Sequence, residues 1–168
     1  GGLGGLTQSG PAKLTLGGAN GFAGGVNLLG GGLGVGTNTS LGLGALTVNG
    51  AATLDASAGV NLGNAVVLNA GLDVGGSNDI ALGGPVSGAG ALSLNGAGKL
   101  SLNAANAGFS GGVTLGSGTL GVGNNLALGT GGLAVTGNAS LTANVPGIVL
   151  GNGVTLGSGT TLSLTGAN

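Results

Sequence analysis

Only five side chains of the 168-residue chain carry a charge that can take part in chemistry: Lys13, Asp55, Asp73, Asp79 and Lys99. General acid–base catalysis and polysaccharide hydrolysis require paired or clustered carboxylates. Asp73 and Asp79 are six residues apart and are close enough in sequence to meet around a corner, but solvated turn carboxylates account for them better. We therefore expect a non-enzymatic protein with no catalytic, cofactor-binding or metal-binding residues.

The glycine-rich segments also offer little chemistry. Calcium-binding glycine-rich repeats place an Asp in every turn, and nearly every turn of this chain lacks one. The run 30–34 is similar to a phosphate-binding loop, but no Gly-Lys-Ser/Thr follows it and no helix is expected, so we interpret it as a corner. A formal net charge of −1 provides no basic surface for nucleic acid or anionic lipid.

Two sets of side chains leave a binding role to consider. Phe22 and Phe109 are interpreted as core or corner fillers in preference to stacking platforms for sugars. Threonines expected to point outward alternate with Ser, Asn, Gly and Ala, which disfavours the regular threonine array of an ice-binding face. These threonines are Thr15, Thr47, Thr114 and Thr155. Whether any face binds carbohydrate or ice stays open.

Composition restricts the class of protein strongly. The chain has 46 Gly but only 3% charged residues, with 41% hydrophobic residues and a mean hydropathy of +0.59. Disordered chains combine low hydrophobicity with high net charge, and collagen needs Gly at every third position with abundant Pro, whereas this chain has three Pro. Gly at this density also disfavours helices, and no run of 18 apolar residues is available to cross a membrane. We expect an all-β protein.

Short segments with aliphatic residues at alternating positions recur along the whole chain. Period two places the flanking aliphatics on one face, and the Gly-Gly, Asn-Gly and Gly-Ser-Gly sequences between segments supply bends. The predicted strands are 14–16, 26–28, 33–35, 46–48, 66–68, 72–74, 92–94, 100–102, 113–115, 120–122, 133–135, 154–156 and 162–164. Strands this short pair weakly as hairpins, which favours a solenoid over a sandwich or barrel.

A long internal repeat supports the solenoid. The segment 13–16 matches 99–102 at an offset of 86 residues, and from Phe22 and Phe109 onward the offset is 87. We predict a right-handed parallel β-helix of about seven rungs, each of roughly 20 to 25 residues, stacked about 4.8 Å apart into a rod about 35 Å long. Corner asparagines are expected to form stacked amide ladders; they are Asn20, Asn49, Asn103 and Asn106.

The repeat defines the expected domain organisation. Residues 1–168 are interpreted as a single β-solenoid segment, with repeat copies near 4–97 and 98–160 and a third copy starting near 161. Because the third copy stops early, we interpret the chain as a fragment of a longer repeat protein.

The order of elements in these copies resembles a known family. The segments 4–10 and 13–25, and again 98–106, 109–115, 118–120 and 124–131, are similar to the autotransporter-associated β-strand repeat, also called the passenger-associated transport repeat. The chain departs from that pattern at Phe22 and Phe109, where the family usually has Tyr, and at Val26 and Val113, where it often has Thr. These changes are conservative for a packed rung.

The resemblance implies a secreted passenger of a type V system, and hence an extracellular structural or adhesive stalk on a bacterial cell surface. Its expected partner is a host or cell-surface ligand, with an outer-membrane barrel reached only through a segment that this chain does not contain. The alternative is an extracellular filament or matrix protein that associates with itself, end to end or laterally, because uncapped strand edges and low charge permit stacking. No nucleic acid and no cofactor is expected.

Overall fold

The chain folds into a stack of short parallel strands, as described by a computed structural model for residues 2–166. Between residues 2 and 166 every regular element is a β-strand. The same part of the chain contains no helix with the length and apolarity needed to traverse a bilayer. The prediction of an all-β fold, a parallel β-helix, is therefore confirmed.

Three sheets form the sides of the solenoid. Sheet A contains β1 (Leu6–Gln8), β3 (Val26–Leu28), β5 (Leu46–Val48), β8 (Val66–Leu68) and β11 (Val86–Ser87). Sheet B contains β2 (Lys13–Leu16), β4 (Gly31–Val35), β6 (Ala52–Ala56), β9 (Leu72–Val74), β12 (Leu92–Leu94), β14 (Val113–Leu115), β16 (Leu133–Val135) and β18 (Val154–Leu156). Sheet C contains β7 (Val60–Leu62), β10 (Ile80–Leu82), β13 (Lys99–Leu102), β15 (Thr119–Val122), β17 (Ala139–Ala143) and β19 (Leu162–Gly166).

Every strand pair is parallel, and paired residues lie one turn of the solenoid apart. In sheet A, Leu6 pairs with Val26 and Val26 pairs with Leu46. The turn length is nearly constant over all three sheets: the shortest step joins Leu14 to Leu33, and the longest joins Leu141 to Leu164. Because the turns are this short, sheet B has eight strands and hence eight turns, one more than the seven expected.

The core consists of aliphatic columns that run along the axis. In sheet B one column contains Leu14, Leu33, Leu54, Val74, Leu94, Leu115, Val135 and Leu156. From Leu33 to Val135 these side chains are at most 2% exposed. Because successive turns are in register, like residues pack on like residues and no aromatic layer is needed.

Some sides of the turns carry no strand. On the side of sheet C these segments are 17–25 and 36–45, and on the side of sheet A they are 103–112, 123–132 and 144–153. We call them the strandless segments. Segments 36–45 and 123–132 still contribute to the core, since Leu41 and Leu128 are both fully buried.

The repeat found in the sequence is displaced by one side of the solenoid. Leu33 lies in sheet B, whereas its repeat partner Leu120 lies in sheet C. Leu46 lies in sheet A, and its partner Leu133 lies in sheet B. The repeat offset therefore equals four whole turns plus one side. The beginning of the third copy includes β19, while Ala167 and Asn168 lie outside the described residues.

The column architecture predicts the effect of truncating a single core residue. Leu94→Ala should lower the free energy of unfolding by about 2 to 5 kcal/mol, because Val74 and Leu115 in the adjacent turns are already packed and cannot fill the gap. Unfolding in urea is followed by far-UV circular dichroism, since the chain has no Trp or Tyr. Ser93→Ala, which changes the outward neighbour, is the control, and an equal loss in both variants would contradict the column model.

Candidate functional site

Lys13 and Asp55 form an ion pair on the outer surface of the solenoid. Lys13 Nζ donates to Asp55 Oδ2 at 2.6 Å across 42 residues. The two residues lie in β2 and β6, so the lysine side chain crosses the intervening strand β4. The lysine side chain is 48% exposed and the aspartate side chain 33%, which leaves the pair open to solvent.

Lys99 makes the matching contact in the second repeat copy. Its Nζ donates to Asn144 Oδ1 at 2.7 Å, and Asn144 Nδ2 donates in turn to Asn103 Oδ1 at 2.9 Å. The lysine crosses strand β15 to reach a residue 45 positions later. Both lysines therefore span two turns, but the acceptor is a carboxylate in the first copy and an amide in the second.

Glycine makes both crossings possible. Gly34 of β4 and Gly121 of β15 lie directly beneath the lysine side chains, and a Cβ at Gly34 would come within 2.7 Å of Lys13 Cε. The segment 30–34 is thus only partly the corner predicted from the sequence. Gly31 has a positive φ of 72° at the bend, whereas Gly34 lies inside a strand and leaves room for the lysine.

The remaining acids hold separate, local contacts. Asp73 in β9 accepts a hydrogen bond from Asn95 Nδ2 at 2.7 Å. Asp79 accepts one from the backbone N–H of Lys99 at 2.8 Å. The two aspartates share no partner, and among residues 2–166 no group of three or more Asp, Glu, His or Cys is arranged to hold a metal ion.

An open groove of about 570 Å³ runs along sheet B beside Lys13. Its lining is dominated by small residues, including Gly31, Ala52 and Gly71, and it also includes Asp73. Catalysis would require a nucleophile or base held against a second polar group. In this groove the lysine is paired with Asp55 and the aspartate with Asn95, so both charged groups already have partners at the edge of a shallow, mainly apolar surface.

The two phenylalanines lie inside the molecule. Phe109 is fully buried, and Phe22 is partly buried and packs against the core. The interpretation as core or corner fillers is therefore confirmed. Of the outward threonines, Thr114 stacks on Ser93 and Ala134 in the neighbouring turns of sheet B, so the threonines form no continuous column there.

The predicted amide ladder exists at one of the four proposed asparagines, Asn49, whereas Asn103 bonds to an amide two turns away, across Gly123. Asn49 donates to Asn27 Oδ1 at 2.8 Å and accepts from Asn69 at 2.7 Å, and Asn103 pairs with Asn144. The prediction is wrong for Asn20 and Asn106. Their Nδ2 groups donate instead to the backbone oxygens of Ser40 and Ala127, because each lies beside a strandless segment whose carbonyl groups have no strand neighbour.

Segments 36–45 and 123–132 are each held between two such asparagines. Carbonyl groups of segment 36–45 accept hydrogen bonds from Asn20 in the preceding turn and from Asn64 in the following turn. Asn64 Nδ2 donates to Gly42 O at 3.1 Å and to Gly44 O at 2.6 Å. Segment 123–132 receives Asn106 and Asn152 in the same way. We call each pair an asparagine bracket.

Asn106 has the most enclosed position in these brackets. It is 1% exposed, its Nδ2 donates to Ala127 O at 2.6 Å, and its Oδ1 accepts from the backbone N–H of Val86 at 2.8 Å. In the preceding turns of sheet A that N–H position is paired with a backbone carbonyl, as in Val66 N to Pro85 O. The Asn106 amide therefore takes the place of a strand backbone for two groups, the N–H of Val86 in one neighbouring turn and the carbonyl of Ala127 in the other.

Sequence reasoning missed Asn64 and Asn152 as functional residues of the fold. A signal was present, since both follow a glycine, precede a sheet strand by two positions and are related by the long repeat with a shift of one position. Their role depends on the neighbouring turn having no strand, which the alternating pattern does not reveal.

Removing the Asn106 amide should be far more costly than its size suggests. Asn106→Ala leaves the N–H of Val86 and the carbonyl of Ala127 buried and unpaired, so the free energy of unfolding should fall by about 2 to 4 kcal/mol. Asn103→Ala, which removes an exposed amide pair, should cost less than about 1 kcal/mol. Urea titrations of the two variants measure the difference, and similar midpoints would refute the bracket as a stabilising device.

The Lys13–Asp55 pair should contribute little and should depend on salt. Asp55→Asn is expected to lower the free energy of unfolding by about 0.2 to 1 kcal/mol at low ionic strength, and by less at high salt, because the pair is solvent-exposed. Asp73→Asn is the matched control, since Asp73 bonds to a neutral amide. A loss that is independent of salt would show that the Asp55 contact is not electrostatic.

Comparison of the chain with protein-family models, with curated proteins and with solved structures found no match. The resemblance to the autotransporter repeat therefore rests on the residues that carry it. The structure adds an independent result, a parallel β-solenoid with a repeat displaced by one side, whose few charged groups are dispersed along the stack.

Proposed function

We propose that the chain is an extracellular structural or adhesive stalk of an autotransporter-like passenger on a bacterial surface. The observation that carries the proposal is the unbroken ladder of sheet B, in which eight strands are joined by seven successive parallel pairings, each between strands one turn apart. In a continuous ladder each further turn lengthens the stack by roughly 4.8 Å, so eight turns form a rod about 38 Å long.

The energetics of such a stack suit folding outside the cell. Apart from the surface contacts of Lys13, Lys99 and Asn103, which reach two turns along the stack, each turn contacts its neighbours. A completed turn offers a strand edge and an aliphatic layer to the next. Folding can therefore proceed from one end as the chain emerges, without distant segments having to meet. The outer-membrane barrel that this route requires would be joined to the chain through a segment not present here.

The outer surface supports a contact role better than a catalytic one. Its charged groups are few, and Asp55, Asp73 and Asp79 each hold a different partner. The outward side chains of the sheets are mainly small hydroxyls, amides and alanines, as in the stack Asp73, Ser93, Thr114 and Ala134. Such faces fit a host or cell-surface ligand bound by shape and hydrogen bonds. We propose no enzymatic role.

A stalk assembled from equivalent turns should unfold under force in repeated steps. Pulling the two ends apart in optical tweezers should release the chain in units of about 70 Å or simple multiples, since a turn of about 20 residues extends by roughly 3.5 Å per residue. Asn106→Ala should create a weak point and lower the force of the step that opens its turn. Release of the whole chain in one step at every pulling rate would contradict independent turns.

The location is tested on intact cells. Antibodies raised against the purified chain should label unpermeabilised cells of the source organism, and protease added outside should remove that signal. A cytoplasmic protein of the same cells, labelled only after permeabilisation, is the control. Labelling of the chain only after permeabilisation would overturn the surface proposal while leaving the fold unaffected.

A further inference from the structure

Four asparagines of the chain are followed directly by glycine, a sequence with a chemistry of its own. The backbone nitrogen of the glycine attacks Cγ of the asparagine side chain, so that a C–N bond forms, ammonia leaves and the N–H proton passes to water. Water then opens the succinimide ring at either carbonyl and yields aspartate or isoaspartate. Glycine permits this attack because it has no side chain in the way. The sequences are Asn20-Gly21, Asn49-Gly50, Asn95-Gly96 and Asn152-Gly153.

In two of these sequences both reacting groups are occupied. The glycine N–H donates to a backbone carbonyl of the preceding turn, at 3.1 Å for Gly50 and at 3.2 Å for Gly96. The amide of Asn49 lies in its ladder, and Asn95 Nδ2 donates to Asp73 Oδ1 at 2.7 Å. The nitrogen and the amide must therefore both leave a partner before they can react.

Asn152-Gly153 differs because the attacking nitrogen has no partner. Among residues 2–166 the N–H of Gly153 makes no hydrogen bond, and Gly153 is exposed. The free N–H belongs to this position in the turn and not to the end of the stack. Gly132 and Gly112, which precede the paired strands one and two turns earlier, are each followed by a further turn, and their N–H groups also make no hydrogen bond there.

Asn152 is also a member of an asparagine bracket. Its Nδ2 donates to Gly129 O at 3.0 Å and to Gly131 O at 2.7 Å. Deamidation replaces the NH2 group with a carboxylate, which has no hydrogen to donate and is ionised at neutral pH. Both carbonyl oxygens then lose their donor and face a negative charge, and Gly129 is buried. The reaction therefore reverses the polarity of this contact.

We propose that Asn152 is a site of spontaneous deamidation that loosens segment 123–132 as the protein ages. The bracket restrains the reaction, because its two hydrogen bonds must open before Gly153 can attack. Asn49 and Asn95 carry a restraint of that kind and, in addition, the hydrogen bond of the attacking nitrogen. The fold thus directs the reaction to Asn152, and the product releases one side of the bracket while Asn106 keeps the other. The inference is independent of the stalk proposal, since it requires only the chain and water.

Peptide mapping by mass spectrometry measures the reaction at each site. Folded chain is incubated at mildly alkaline pH, and chain unfolded in urea is the reference in which the Asn-Gly sequences should react at similar rates. In the folded chain Asn152 should convert at least about 5-fold faster than Asn49 and Asn95, the factor that corresponds to one additional hydrogen bond.

Gly153→Ala is the matched variant for the chemistry. The position has room for a methyl group and no positive φ, so the fold should be kept while the methyl hinders attack. The change gives Asn152 the Asn-Ala sequence of Asn106, its bracket partner. Conversion at Asn152 should fall several-fold, with the rate at Asn49 unchanged.

Asn152→Asp reproduces the product and tests its consequence. Hydrogen exchange of backbone amides in segment 123–132 should accelerate at least about 5-fold, since the segment loses hydrogen bonds that hold it to the next turn. Asn61→Asp is the control, because Asn61 is exposed and its side chain makes no hydrogen bond within residues 2–166. It introduces the same charge and should leave exchange in that segment unchanged.

Equal rates at Asn152 and Asn49 in the folded chain would overturn the proposed site. So would an Asn152 that stays intact in the folded chain while it reacts in urea, because the bracket alone would then be sufficient protection. Unchanged exchange in segment 123–132 of Asn152→Asp would overturn the proposed loosening. The rate comparison uses the wild-type chain and stays decisive if circular dichroism shows that Asn152→Asp does not fold.

Discussion

The architecture depends on a nearly constant turn length. A buried residue packs on its counterpart one turn later, as Val26 does on Leu46, and the same spacing aligns the backbone N–H and C=O groups of the two turns. An error of one residue within a strand would exchange inward and outward side chains over that whole strand. The chain accommodates turns of slightly different length only because the extra residues fall at bends and in strandless segments, where no register has to be kept.

The same constraint explains how polar groups are used. Where a side of the turn has no strand, the neighbouring turns lose backbone partners, and the asparagine brackets supply amide groups in their place. An amide suits this position because it donates and accepts at once and carries no charge that would have to be desolvated. The described residues accordingly contain no buried side-chain nitrogen or oxygen without a hydrogen-bond partner.

Much of this fold is evident from the sequence because strand pairing repeats a local pattern. The alternation in segments such as Val113-Thr114-Leu115 is sufficient to assign a strand and its inward residues, and all thirteen predicted segments lie in strands. The contact between Lys13 and Asp55 could not be predicted, since it requires the exact length of two successive turns. Asn106 was wrongly assigned to a corner amide ladder for a related reason: its partner Ala127 belongs to a turn whose missing strand is not visible in the alternating pattern.

Because the repeat is displaced by one side of the solenoid, its two copies present corresponding residues on different faces of the rod. Leu33 and Leu120 have equivalent surroundings, yet the surfaces outside them look out in directions about a third of a turn apart. Along a single face of the rod, a motif from the first copy is therefore not followed by the same motif from the second copy. Duplication here places related surface motifs, such as the long lysine contacts of Lys13 and Lys99, on different sides of the rod.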